Sequence, residues 1–194
     1  MKIIQILTLS FLLFIPSLKA QDFYDSLALA ANQLTNNNVV YDPSYFSITY
    51  PNGDVPKGKG VCTDVIIRAY RKFGVDLQVE VHEDMKTNFS TYPKIWGLKQ
   101  TDKNIDHRRV PNLMTFFERF GIVKAITKNA DDYVPGDIVC WNLGGATTHI
   151  GIISDKKSVD EKRHLVVHNI GAGQVLEDCL FNYKIIGHYQ YKKK

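Results

Sequence analysis

The spacing of apolar residues changes period near residue 121, from about 3.6 to 2, and that switch restricts the fold more than any other feature. Before it the chain reads as helices. Phe23, Leu27, Ala30, Ala31 and Leu34 keep a helical period from Phe23 to Asn37, where the run Asn36-Asn37-Asn38 stops it. Val61, Val65, Ile66, Ala69, Tyr70 and Phe73 form one stripe, closed by Gly74. Leu77–Phe89 and Pro111–Phe120 read as two further helices, the second with proline in its first turn. Val39–Pro56 is rich in Tyr, Pro, Ser, Asp and Gly and reads as an ordered loop or a short strand pair. After the switch come short β-rich runs at Ile122–Thr127, Asp137–Leu143, His149–Ser154, His164–Ile170 and Ile185–Tyr191, separated by turns such as Pro135-Gly136 and Gly144-Gly145. Helices first and strands second, without βαβ alternation, imply an α+β chain with an antiparallel sheet.

The start of the chain points to export. Lys2 precedes an apolar run from Ile3 to Ile15, and Leu18-Lys19-Ala20 offers a small residue at a cut, so residues 1–20 read as a signal peptide. The run is too short for a membrane span, which needs about 20 apolar residues. The expectation is a single domain over residues 21–194, periplasmic or secreted, bacterial, and without stable membrane insertion. Removing Lys2 and Lys19 from the 24 basic residues leaves 22 against 20 acidic ones, which argues against nucleic acid as a partner. The oligomeric state is not legible in the sequence.

Two residues carry the chemistry. Cys62 falls in the first turn of the clearest helix, after Gly58-Lys59-Gly60, where unpaired N–H groups and the helix dipole favour a thiolate. His149 opens a strand just beyond the Gly144-Gly145 turn, where its imidazole can reach an adjacent helix start. His168 ends the next strand and can sit behind His149 to fix its tautomer, giving nucleophile, base and orienter in turn. Cys140 and Cys179 fit a buried structural role or a disulfide with each other. His82, among Glu80, Glu83 and Asp84, reads as a solvated surface residue. A zinc triad of Cys62, His149 and His168 lacks any close pair such as Cys-x-x-Cys, so no metal is expected.

Pro135-Gly136-Asp137-Ile138-Val139 followed by His149-Ile150-Gly151-Ile152, with a cysteine opening an upstream helix, resembles the NlpC-type branch of the papain-like cysteine peptidases. More closely, Gly60-Val61-Cys62-Thr63-Asp64-Val65, Tyr92-Pro93, Asn104 to Val110, His168-Asn169 and Gly187-His188-Tyr189 resemble a bacterial family designated domain-of-unknown-function family 1287, over nearly the whole of residues 41–191. The resemblance implies a papain-like NlpC-type fold, with the nucleophile helix packed on the sheet. It also implies a cysteine peptidase or amidase that needs no cofactor and takes cell-wall muropeptides as substrate. It assigns Cys62 as nucleophile, His149 as general base and His168 as the third residue, with Asn169 able to fill that last role or to touch substrate.

Two departures from the NlpC pattern stand out. The Asp expected directly before the nucleophile, which helps hold the substrate's amino group, is replaced by Val61, with Asp64 two residues after the cysteine as the candidate substrate-binding carboxylate instead. The 87 residues from Cys62 to His149 also hold the element Asp106-His107-Arg108-Arg109, which reads either as a carboxylate-binding patch for the substrate or as a structural ion pair. Tyr41, Tyr45 and Tyr50 either line the cleft or pack with their hydroxyls outward. Rival readings are an acyltransferase or lipid hydrolase on the same fold, and a wall-binding module without chemistry.

Overall fold

The computed structural model describes residues 18–193. The leader expected over residues 1–20 lies outside them except for Leu18-Lys19-Ala20, which open the first helix, α1 (Leu18–Leu34). Next come β1 (Val40–Tyr41), β2 (Lys59–Gly60), α2 (Cys62–Arg71), α3 (Leu77–Asn88) and α4 (Val110–Phe120), then β3 (Ile122–Val123), β4 (Ile138–Gly144), β5 (Thr147–Lys157), β6 (His164–His168), β7 (Val175–Glu177) and β8 (Lys184–Gln190). The change of period at residue 121 is therefore the boundary between helices and sheet. β3 to β8 form one sheet in the order β3-β8-β4-β5-β6-β7, antiparallel throughout, so the chain is mixed α+β. Val39–Pro56 contributes only β1, which runs parallel to β2.

The helices cover one face of the sheet. Val65, Ile66, Ala69 and Tyr70 of α2, Leu27 and Ala31 of α1 and Leu113, Phe116 and Phe117 of α4 pack against Ile138, Cys140, Ile150, Ile152 and Val167. The opposite face carries a smaller core of Tyr133, Val139, Trp141, Ile153, Val166, Cys179 and Leu180. This alternation is the period-2 pattern of the strands made visible, because adjacent residues of β4 and β5 belong to different cores. Cys140 belongs to the helical side and Cys179 to the other, and all three cysteines are free and buried. The disulfide considered from the sequence does not form.

Two motifs that carried the family resemblance hold this frame. Asp137, fully buried, accepts from His188 Nε2 at 2.7 Å, Lys124 Nζ at 2.8 Å, the Val134 N–H at 3.0 Å and, through Oδ1, Gln190 Nε2 at 2.7 Å. It thereby ties β4 to β8 and to the segment after β3. Gly136 has φ +84°, and a Cβ there would lie 2.2 Å from the Tyr24 carbonyl oxygen, so only glycine lets α1 rest on this turn. No helix among the described residues is long and apolar enough to cross a membrane.

Replacing Asp137 by Ala strands these donors in the interior. The expected outcome is a loss of roughly 3–5 kcal/mol in denaturant unfolding, as for a broken buried ion pair; a loss under about 1 kcal/mol would show that the cluster does not hold the sheet.

Candidate functional site

Cys62 is the first residue of α2, and the turn that delivers it is fixed by Asp64. The Asp64 carboxylate turns back to accept the Val61 N–H at 2.7 Å, which satisfies a free donor at the helix start. It also accepts two bonds from Arg108, at 2.9 Å from Nε and 3.0 Å from Nη2. Both side chains of this pair are almost wholly buried, at 3% and 2% exposed. Thr63 adds a bond from its hydroxyl to the Arg108 carbonyl at 3.3 Å. Asp64 and Arg108, both read from the sequence as substrate-binding, thus meet each other, and the bidentate grip resembles the carboxylate recognition anticipated for a substrate.

The rest of that element is also turned inward. Asp106 is buried and accepts the Asp102 N–H at 2.8 Å and His82 Nδ1 at 3.0 Å, while its carbonyl takes the Asn112 amide at 2.9 Å. His82 is therefore held by Asp106 and stacked edge-on to Tyr50, not solvated as its acidic neighbours suggested. Burial raises the Asp106 pKa. Burial, reinforced by Arg108, pushes His107 down to about 3. Arg109 alone faces partly outward, its guanidinium 4.1 Å above the Trp96 ring. Of the tyrosines, Tyr45 bonds Asp102 at 2.9 Å and Tyr50 bonds Glu83 at 2.7 Å, whereas Tyr41 lies within electrostatic reach of Cys62, Asp64 and Arg108.

The thiol of Cys62 meets the backbone N–H of Ile150, the residue after His149. It arrives where β6 has ended at His168, and Asn169, the next residue, donates its side-chain amide to the Gly60 carbonyl at 3.2 Å. Asn169 therefore pins the nucleophile turn to the end of the sheet. Of the residues expected together, His149 meets His168 at this end of β5 and β6, and Asn169 meets the turn before Cys62. Cys62 and His149 share no hydrogen bond and lie on opposite faces of the sheet, so the expected direct pair is not formed. The His149 ring lies on the Trp141 side of the pleat, ring centres 5.8 Å apart, and Ile150 faces the helices.

His149 instead bonds His168, Nε2 to Nδ1 at 2.8 Å, and His168 Nε2 bonds Glu177 Oε2 at 2.8 Å. These contacts fix the protons. A carboxylate only accepts, so His168 carries its hydrogen on Nε2; its Nδ1 then accepts from His149 Nε2–H, which leaves the His149 Nδ1 lone pair unprotonated. Glu177 was not singled out in the sequence, because β7 is three residues long and shows no period of its own.

Electrostatics correct one sequence expectation. Burial pushes the Cys62 thiol up to about 12, with Asp64 adding to the rise and the Ile150 N–H opposing it. Burial, then His168, pushes His149 down to about 3. Desolvation thus outweighs the helix start that favoured a thiolate, and at neutral pH the site holds a neutral thiol and a neutral imidazole.

Fold and site together describe an α+β protein with a buried cysteine at a helix start beside a His-His-Glu relay. The chain belongs to the family described as domain of unknown function DUF1287, whose model matches residues 28–191. It is similar to the uncharacterized protein YijF of Escherichia coli (strain K12), at 52% identity over 166 residues, covering 86% of this chain and 80% of that protein. No solved structure matches.

Because Cys62, Cys140 and Cys179 are all buried, iodoacetamide at pH 8 should label none of them rapidly in the folded protein and all three after denaturation. Peptide mapping reads the result; fast native labelling of Cys62 would show an open, ionised thiol.

Proposed function

We propose that this protein is an exported cysteine hydrolase of the papain-like NlpC type that cleaves an amide bond, with cell-wall peptides as the substrate class. The observation that carries the proposal is the relay from Glu177 through His168 to His149, which ends on an unprotonated Nδ1 at the strand end that holds Cys62. A base whose far nitrogen is oriented by a polar partner is what thiol activation requires.

In the proposed reaction substrate parts the cover over the site, and the start of β5 turns over to carry the His149 ring from the Trp141 side of the sheet to the Cys62 side, bringing Nδ1 to Sγ. The thiol gives its proton to Nδ1 as sulfur attacks the carbonyl carbon, and the N–H groups at the start of α2 face the developing oxyanion. The proton then passes to the leaving amine, and water, deprotonated by the same nitrogen, releases the acyl group. Arg109, stacked on Trp96 and partly outward, is the arginine left to meet a substrate carboxylate, since Arg108 is committed to Asp64. In support of this division of labour, the two positions differ in burial as well as in partner.

Incubation with a muropeptide panel, read by mass spectrometry, tests the reading. The expected result is a cleaved amide whose rate falls on the order of a thousandfold or more in Cys62→Ala. Cleavage of an ester-linked lipid in place of the peptides, or no turnover of either, would overturn it. Arg108→Ala should lose roughly 3–5 kcal/mol of stability by leaving Asp64 buried and unpaired, whereas Arg109→Ala should keep its unfolding midpoint and raise KM about tenfold.

A further inference from the structure

The far end of the relay is built from three kinds of donor. His168 Nε2, a Glu177 carboxylate oxygen and Cys179 Sγ all lie within 4.8 Å of one another. His168 and Cys179 are buried, at 1% and 4% exposed, while the Glu177 side chain is 55% exposed. The rest of the cluster belongs to the smaller core: Cys179 packs with Tyr133, Val139, Trp141 and Leu180. Two donors are thus fixed in an apolar wall and one is free to swing from solvent.

We propose that His168, Glu177 and Cys179 form a binding site for a zinc ion, with water as the fourth ligand. Imidazole, carboxylate and thiolate are the donors zinc takes, and three protein ligands with one open position make a tetrahedral site that still exchanges with solvent. Geometry fits this donor set. A tetrahedral zinc with bonds of about 2.1 Å to nitrogen and 2.3 Å to sulfur holds those two atoms about 3.6 Å apart, and His168 Nε2 and Cys179 Sγ are 3.6 Å apart. The Nε2 to Oε2 separation of 2.8 Å is a hydrogen bond. It must widen to about 3.3 Å around a metal, and the exposed Glu177 side chain supplies that movement. Soft thiolate with imidazole favours zinc over magnesium or calcium, which prefer oxygen donors alone.

Binding replaces one proton and reverses one hydrogen bond. The thiol proton of Cys179 leaves to solvent. Zinc takes an Nε2 lone pair of His168, so the hydrogen of that ring moves from Nε2 to Nδ1 and is donated to His149 Nε2, and the hydrogen of His149 moves from Nε2 to Nδ1. Each imidazole stays neutral with one hydrogen, but the relay now runs the other way. On the hydrolase reading proposed above, the thiol would then face an N–H instead of a lone pair, so the metal would hold the site off.

The test uses the full purified chain, reduced and stripped with chelator, and needs no substrate, so its outcome stands apart from the hydrolase reading. Competition against a chromophoric zinc indicator should give one zinc per chain. Cobalt(II) in place of zinc should give the near-ultraviolet band of a sulfur ligand together with tetrahedral visible bands. Cys179→Ser should remove the sulfur band, Glu177→Gln should weaken binding more than about tenfold, and Cys62→Ala should change neither. Glu177 is exposed, so its variant reads the site even where loss of the buried thiol disturbs folding. The absence of stoichiometric zinc, or binding unchanged in Glu177→Gln, would overturn the proposal; so would a sulfur band lost in Cys62→Ala but kept in Cys179→Ser.

Discussion

A carboxylate removed from water two residues after the thiol must be paired, and Asp64 meets that demand with a bidentate arginine and a backbone N–H. The local architecture follows from this pair. Arg108 reaches Asp64 from a short helical turn, Asp106–Arg108, which is held by the bonds that Asp106 makes with His82 and Asn112. A pair this well buried adds little stability compared with a hydrophobic replacement, yet it penalises any arrangement that separates its members. It specifies where the helix start sits.

That specification decides between two opposing effects on the cysteine. A helix N-terminus stabilises negative charge by roughly 0.3–1 kcal/mol when exposed, whereas full burial moves a pKa by several units. Here the positive end of α2 is already occupied by the Asp64 carboxylate. Burial therefore wins: the thiol stays protonated, and burial also keeps the His149 imidazole neutral.

The architecture was legible where a segment carried its own period. The stripe from Val61 to Phe73 and the alternation of β4, β5 and β6 placed the helices, the antiparallel sheet and the meeting of His149 with His168. What could not be read depended on partners far along the chain. β7 is three residues whose identity as a strand comes from pairing with β6, so Glu177 stayed hidden. Cys62 looked open because a helix start usually is, and its cover comes from Ile150 and from the Asn169 bond to Gly60. His82 looked solvated from its neighbours in sequence, although Asp106 holds it. Arg108 and Arg109 are adjacent and chemically alike, and only the fold sends one to Asp64 and the other to Trp96.

The bond from Asn169 to Gly60 spans 109 residues. Contacts of such separation form late, after the loop entropy of the intervening chain has been met. Until that contact closes, the turn that presents Cys62 has no tie to the residue that follows His168. A single long-range bond therefore registers the helical half of the chain against the sheet half at the thiol, and a change at Asn169 would be felt 109 residues earlier.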